Sequence, residues 1–366
     1  MRVKDSIWTA VSKNPRNKYR RFSFLSDWRG IKNTLGEMRG IGHPRQPKLN
    51  KGYVPTGADP TFDEQWFTRT ITAKVANHPD NSMEFPFAGE KIFDPPLVSF
   101  VAGDDPIFSR FKEIIGPHHY TPAEIMAWQA KKNGLAPPPA GELGVISFVL
   151  PITETTRQEN AGETEWCSER WAQTRLRGEI FSQTLVREMV TFLMGKGILA
   201  VSPDVTPMFK KQRYPKVGWA SPWSHRHIAY AAGLGTFGKN NLLITEKGCA
   251  HRVGSFVVHR KLKPNRPRPE DIHAYCLQYQ GIECLKCAKR CPVGAIDING
   301  HDKETCYDRV AKSLRYCNTN YHIFIYGCGL CSVKVPCEAK IPKKTTADDR
   351  PQTAAKTAKN QKQKSI

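Results

Sequence analysis

The chain has 366 residues, 39% of them hydrophobic, and a formal net charge of +21. This apolar content suffices for a packed core and argues against global disorder. No run of about 18 or more apolar residues occurs, so we predict no membrane span.

The positive charge lies mostly in the two ends of the chain. Residues 1–52 carry 13 Lys and Arg against 3 Asp and Glu, and residues 340–366 carry 8 against 2. The simpler interpretation is solvated charge that keeps the protein soluble. The alternative is a partner, because basic arms of this kind bind tRNA or another acidic molecule.

Residues 1–90 are rich in Gly, Pro, Lys and Arg, and we predict a basic, irregular N-terminal extension there. Within it, Arg20-Arg21 opens a segment that looks like a twin-arginine export signal. Such a signal continues into an apolar stretch, whereas polar and charged residues, Asp27 among them, follow here. We therefore predict a cytoplasmic protein.

Residues 91–262 alternate between strand-like and helix-like apolar patterns. The clearest helix is 168–195, with Ser168 as a candidate N-cap and Gly195 as a stop signal. A second helix is predicted at 224–232. Short apolar runs predict strands at 96–101, 144–150, 198–201, 242–244 and 255–258. This order predicts an α+β fold with a layered α/β domain over 91–262.

The Pro-rich stretch 263–269 is predicted to separate that domain from a small C-terminal one, residues 263–342. From residue 343 to 366 the chain is mostly Lys, Thr, Ala and Gln, and we predict a disordered basic tail.

The small domain is dominated by cysteine. Nine of the chain's eleven cysteines lie between Cys276 and Cys337, and in a cytoplasmic protein such a density favours metal binding over disulfides. Its core is Cys284-x2-Cys287-x3-Cys291-Pro292, which matches the last three cysteines of the bacterial ferredoxin run. A zinc ribbon is the alternative, but it usually has paired C-x2-C motifs without the Cys-Pro ending.

The spacing predicts two [4Fe–4S] clusters that exchange ligands between the two halves of the module. Gly281 stands where the first cysteine of the run would be, and Cys276 is the natural substitute. The predicted ligands of the first cluster are Cys276, Cys284, Cys287 and Cys337. Those of the second are Cys291, Cys328, Cys331 and either Cys306 or Cys317, with Cys306 preferred. The remaining thiols, Cys167 and Cys249, are interpreted as small buried hydrophobic residues, with a redox or ligand role as the alternative.

The cysteine order, with Tyr326-Gly327 before Cys328, resembles the C-terminal half of epoxyqueuosine reductases. Those enzymes are grouped with the reductive dehalogenases as cobalamin and iron–sulfur proteins. Residues 226–244 also resemble the family's A-G-L-G-x-x-G-K-x-x-L-L-I segment, which lines the corrinoid pocket. The resemblance covers about residues 145–340. It implies that domain 91–262 holds a corrinoid or substrate, and that 263–342 is a ferredoxin-like domain.

Within that segment the resemblance implies cofactor binding by Gly233, Gly235, Gly238 and Lys239. The glycines permit positive φ and close backbone approach to a flat ligand, although a helix C-cap followed by a turn needs glycines too. Lys239 is expected to contact a phosphate or propionamide group of the cofactor, or solvent.

Two departures from the family pattern bear on the substrate. Trp219 occupies the position of the catalytic Asp of epoxyqueuosine reductases, and the second cysteine half reads C-x2-C-x5-C-E instead of C-x2-C-x3-C-P. We therefore expect a divergent reductase with another substrate.

The resulting hypothesis is an iron–sulfur oxidoreductase that passes electrons from a ferredoxin or flavodoxin, through two [4Fe–4S] clusters, to a cobalamin that reduces an organic substrate. His225 and His227 are the candidate proton donors, with surface or capping roles as the alternative. The rival hypothesis is a ferredoxin-type electron carrier without catalysis of its own.

Overall fold

The computed structural model describes residues 61–210, 212–214 and 217–343, together with Leu49. The predictions for the basic tail and for most of the N-terminal extension therefore lie outside the described residues. Within the described part of the chain, no helix has the length and apolar character needed to cross a membrane.

A four-stranded antiparallel sheet forms the centre of the molecule. Its spatial order is β1 (Leu97–Ala102), β2 (Gly144–Pro151), β8 (His251–Val258) and β3 (Ala200–Val201). β2 pairs with β1 on one side and β8 on the other, with Val149 opposite both Leu97 and Val253. Every residue of β2 is buried, which explains why its sequence is an unbroken apolar run and not an alternating pattern.

Among the described residues, five helices precede or cover this sheet: α1 (Glu64–Asn77), α2 (Ile107–Ile114), α3 (Pro122–Lys132), α4 (Glu154–Gly162) and α5 (Glu169–Gly195). The Ser168 side chain caps α5 by accepting a hydrogen bond from the backbone N–H of Trp171. Along α5, Phe181, Leu185 and Met189 recur at helical spacing and are fully buried. The predicted layered α+β architecture is confirmed.

α1 corrects one prediction. Residues 1–90 were expected to be irregular, but from Glu64 the chain forms a regular helix capped by Asp63. Phe67, Ile71 and Val75 point into the main core. This apolar stripe is only one residue wide on each turn, and most of the residues between are polar, so the helical period is weak in the sequence.

The rest of the layered domain consists of short elements. They are β4 (Gln212–Tyr214), β5 (Gly218–Ala220), α6 (His225–Ala231), β6 (Gly235–Phe237) and β7 (Leu243–Thr245). β4 pairs with β5 and β6 with β7, each pair antiparallel. They place α6 and the glycine segment between the central sheet and the cysteine module.

The cysteine module contains two helices, α7 (Lys286–Lys289) and α8 (Lys303–Tyr321). Its Cys317, Ile325 and Val333 belong to the same hydrophobic core as the central sheet. The core is therefore continuous across the boundary that the Pro-rich stretch 263–269 predicts.

Candidate metal centre

Four cysteines line one cavity next to the glycine segment. They are Cys276, Cys284, Cys287 and Cys337, the predicted ligands of the first cluster. Gly238, Lys239 and Asn240 line the same cavity. Residues more than sixty positions apart are thus gathered at one place, which we call the first thiol group.

Local backbone geometry positions this group. Leu285 adopts a left-handed conformation, φ 41°, which turns the chain between Cys284 and α7. The backbone N–H of Cys284 donates to Gln278 Oε1 at 3.1 Å. Cys337 is held from the other side, because its carbonyl accepts the N–H of Cys249 at 2.8 Å. The later half of the module is therefore tied to the layered domain through Cys249.

Cys287 of the first thiol group resists ionisation in the absence of a cation. Burial raises the pKa of Cys287 to about 12, and the nearby sulfurs of Cys337, Cys276 and Cys284 add to the shift. Thiols that ionise together in a low-dielectric site need positive charge among them. A metal that binds here must displace protons, as thiolate ligation requires.

A second thiol group lies around the N-terminal turn of α8. Its members are Cys291, Cys306, Cys328 and Cys331. Burial raises the pKa of Cys306 to about 11, with Cys328 and Cys291 as the next causes. Burial also raises the pKa of Cys331, and Cys328 and Cys306 contribute. The backbone N–H of Ala295 donates to Cys291 Sγ at 3.2 Å, an N–H···S contact typical of iron–sulfur loops.

The structure separates Cys306 from Cys317, the two alternatives for the last ligand. Cys306 lies near Cys291 and Cys328. Cys317 lies three turns further along α8, is fully buried, and has its Sγ 3.8 Å from that of Cys167. Cys306 is the one that the fold brings to the second thiol group.

Neither group resembles a single-ion site. Among the described residues, no three His, Cys, Asp or Glu side chains are close enough together to share one metal ion. A four-iron cube is bound at its separate corners, so its thiolates stand apart. An all-thiolate donor set with N–H···S contacts fits such a cluster.

Uncompensated positive charge lies beside the second thiol group. Arg226 donates to the carbonyl of Asn241, and Lys303 Nζ donates to that of Val217 at 2.9 Å. In the described part of the chain neither has a carboxylate within ion-pair distance. Burial lowers the pKa of both, and for Lys303 the neighbouring Arg226 lowers it further. Arg226 in turn favours the thiolate of Cys306. This charge suits an anionic iron–sulfur cluster.

The glycine segment divides into two parts. A Cβ at Gly233, whose φ is 74°, would lie 2.8 Å from the Pro267 carbonyl oxygen, and one at Gly235 would lie 2.2 Å from that of Ile244. The chain's own backbone therefore fills the space on the Cβ side of both residues, so their glycines are explained by packing within the chain. Gly238 and Lys239 instead line the cavity of the first thiol group. Lys239 Nζ donates to the Ile298 carbonyl at 2.7 Å.

The two candidate proton donors differ in environment. His227 packs against Phe111 and Phe237, and its Nδ1 is 2.7 Å from Ser224 Oγ. Burial lowers the pKa of His227 to about 3, and Arg226 is the next cause. Its imidazole is neutral at physiological pH, so this site does not suit an imidazolium donor.

His225 belongs to a polar network that the sequence did not reveal. Its Nε2 lies 3.4 Å from Asp204 Oδ2, and its Nδ1 lies 2.7 Å from Ser255 Oγ. Asp204 follows β3 and is distant from His225 in sequence. The only hint of this role in the sequence was the position of Asp204, an acidic residue shortly after a predicted strand.

Trp219, at the position of the family's acid, packs against the module. Its ring stacks on Tyr307 with centroids 4.9 Å apart and an interplanar angle of 20°. Tyr307 is adjacent to Cys306 on α8. The acid position is therefore occupied by an aromatic contact between β5 and α8.

Comparison with known proteins agrees with the sequence resemblance. No protein-family model matches the chain. A tetrachloroethene reductive dehalogenase of Desulfitobacterium hafniense is 38% identical over 78 residues, 21% of this chain and 13% of that protein. Epoxyqueuosine reductase of Listeria monocytogenes is 30% identical over 115 residues, 30% of this chain and 28% of that protein. The chain thus spans less than a third of the length of either relative.

Solved structures of both kinds also align with the chain. A B12-dependent reductive dehalogenase aligns with 87% of this chain and 37% of its own, at 17% identity and a TM-score of 0.44. Epoxyqueuosine reductase from Bacillus subtilis aligns with 76% of this chain and 68% of its own, at 14% identity and a TM-score of 0.36. Over these stretches the chain is similar to two kinds of reductase, the reductive dehalogenases and the epoxyqueuosine reductases, which are the two that the sequence resemblance named.

Proposed function

We propose that this protein is an iron–sulfur reductase that passes electrons through two [4Fe–4S] clusters to an organic substrate. The observation that carries the proposal is the sorting of eight cysteines into two interleaved groups. Cys337, from the end of the module, joins the first half, and Cys291, from the first half, joins the later cysteines. This exchange is how two-cluster ferredoxins arrange their ligands.

The two groups are neighbours, which suits electron transfer between clusters. Cys287 of the first group is close enough to Cys331 of the second to contribute to the raised pKa of Cys331. Asn240 bridges them, because it lines the first cavity and its side chain donates to the Cys331 carbonyl at 3.0 Å. Electrons would pass over a short distance within protein.

We propose that the pair Asp204–His225 donates the proton to the substrate, and that His227 does not. The carboxylate holds the imidazole in one orientation, and an imidazole can transfer a proton, a role that Trp219 cannot fill. Both side chains of the pair are partly exposed, 14% for Asp204 and 17% for His225.

Metal analysis tests the central proposal. Protein purified without oxygen should contain about eight iron and eight sulfide per chain, and dithionite should produce the paramagnetic signal of reduced clusters. Zinc in place of iron, or no metal, would contradict the proposal.

The rival function is electron transfer without catalysis, and one observation favours it: the chain's own backbone closes the space beside Gly233 and Gly235. A corrinoid, if bound, would supply the reducing cobalt centre. Protein from cobalamin-supplied cells should then show corrinoid absorption near one per chain. An iron–sulfur shoulder alone would favour the carrier.

Two partners remain predictions. The electron donor would be a ferredoxin or flavodoxin, and the basic ends would bind tRNA or another acidic molecule. Binding to tRNA should then weaken steeply with salt, and removal of residues 343–366 should reduce that dependence. Binding that is insensitive to salt would contradict a role for the basic tail.

A further inference from the structure

A ninth cysteine lies beside the first thiol group. Cys249 is 2% exposed, and its Sγ is 3.8 Å from Sγ of Cys337. It does not line the cavity that the four predicted ligands share. From its sequence context, Cys249 was interpreted above as a small buried hydrophobic residue.

The backbone holds these two sulfurs in place. The Cys249 N–H donates to the Cys337 carbonyl at 2.8 Å, and the Ala250 N–H donates to the Glu338 carbonyl at 3.2 Å. The preceding Gly248 permits this approach, because a Cβ there would lie 2.0 Å from the Glu338 carbonyl oxygen. The sulfur contact is therefore built into the way the module joins the layered domain.

The Cys249 proton has two acceptors within reach, the Cys337 sulfur and the Ser332 carbonyl at 3.7 Å. A thiol has one proton to donate. When Cys337 binds iron it does so as a thiolate, and a charged acceptor gives the stronger hydrogen bond. The proton therefore points to Cys337 in the loaded protein.

We propose that Cys249 is a positioning residue that donates an S–H···S hydrogen bond to the ligand sulfur of Cys337, and so raises the reduction potential of the first cluster. Reduction adds negative charge to the cluster and its sulfurs, and a donor aimed at one sulfur stabilises that charge. The inference rests on the proposed function, since it needs an iron–sulfur cluster in the first thiol group.

Redox titration of the full-length protein under anaerobic conditions, followed by electron paramagnetic resonance, tests this assignment. Cys249→Ala should keep about eight iron per chain and lower the potential of one cluster only. Cys249→Ser keeps a hydroxyl donor and should recover part of the shift. Cys317→Ala removes an equally buried thiol, paired at 3.8 Å with Cys167, and should leave the first cluster unchanged.

A second measurement needs no folded alanine variant. Infrared difference spectra between the reduced and oxidised wild-type protein should show an S–H band that moves to lower frequency on reduction, and that is lost in Cys249→Ser. An unmoved band, or equal potentials in wild type and Cys249→Ala, would overturn the assignment. Iron loss from folded Cys249→Ala would make Cys249 a ligand and overturn it too. Wild-type protein without clusters is a separate result, which refutes the proposed function itself.

Discussion

His227 shows what burial does to a single residue. Its ring contacts two phenylalanines and its pKa lies at about 3, so the folded protein keeps it neutral. In the unfolded chain the same imidazole takes up a proton below about pH 6.5. Between those values the unfolded state binds more protons, and stability falls as the pH is lowered.

This gives a prediction for acid stability. From pH 6.5 to 4.5 the unfolding free energy of His227→Gln should fall less steeply than that of wild type. The two slopes should differ by up to about 1.4 kcal/mol per pH unit. Denaturant unfolding at several pH values measures the slopes. His119, whose pKa burial lowers to about 4, should behave similarly on substitution by Gln. Equal slopes for wild type and His227→Gln would mean that folding does not lower the pKa of His227.

A second residue-level prediction separates the two cysteines of α8. Cys306→Ala removes a thiol from the second group and should lower the iron content, because one corner of a cube loses its ligand. Cys317→Ala removes a thiol on the same helix that faces Cys167 and should keep about eight iron per chain. Iron analysis and paramagnetic resonance compare them. Iron loss from Cys317→Ala alone would reverse the assignment.

At the scale of elements, strong periodicity predicted well and weak periodicity did not. The long helix α5 and the strand β2 each have an apolar pattern that can be recognised within the element's own sequence. α1 has a single apolar residue on each turn, and its helical state depends on the core that it meets. Propensity is weak compared with such tertiary packing.

α1 also provides a stability test. Ile71 is fully buried, so Ile71→Ala should lower the unfolding free energy by about 2 to 5 kcal/mol. Arg69, two residues earlier and exposed, is the matched control and should change it by less than about 0.5 kcal/mol on substitution by Ala. Anaerobic denaturant titration compares the two. Equal effects would indicate that α1 is not part of the core.

The candidate site was predictable to a different degree in each of its parts. Cysteine spacing predicted both thiol groups because iron–sulfur ligands cluster on short loops. Asp204 escaped prediction, since its partner His225 is brought to it only by the packing of α6 on the sheet. The closed space at Gly233 likewise depends on the position of Pro267, which no local pattern reports.

At the scale of the whole molecule, the layered domain and the cysteine module share one hydrophobic core. Ile325 and Val333 of the cysteine module are buried with residues of the central sheet. A chain that ends at residue 262 would expose the surfaces that these side chains cover. The Pro-rich stretch is thus a poor place to divide the protein.

Truncation tests this continuity. Residues 1–262 alone should aggregate or unfold without a cooperative transition, whereas the full chain should unfold cooperatively. Calorimetry and size-exclusion chromatography distinguish the outcomes. A soluble 1–262 fragment with its own sharp transition would show that the layered domain is independent of the module.

The interleaving of Cys291 and Cys337 has a consequence for biosynthesis. Neither thiol group contains four cysteines until the ribosome has made Cys331 for one and Cys337 for the other. For the proposed clusters, iron insertion would therefore wait for the end of the module, long after the central sheet has been translated. Until that moment the layered domain would have to be protected with its module unfinished, and cluster assembly would be the closing step of maturation.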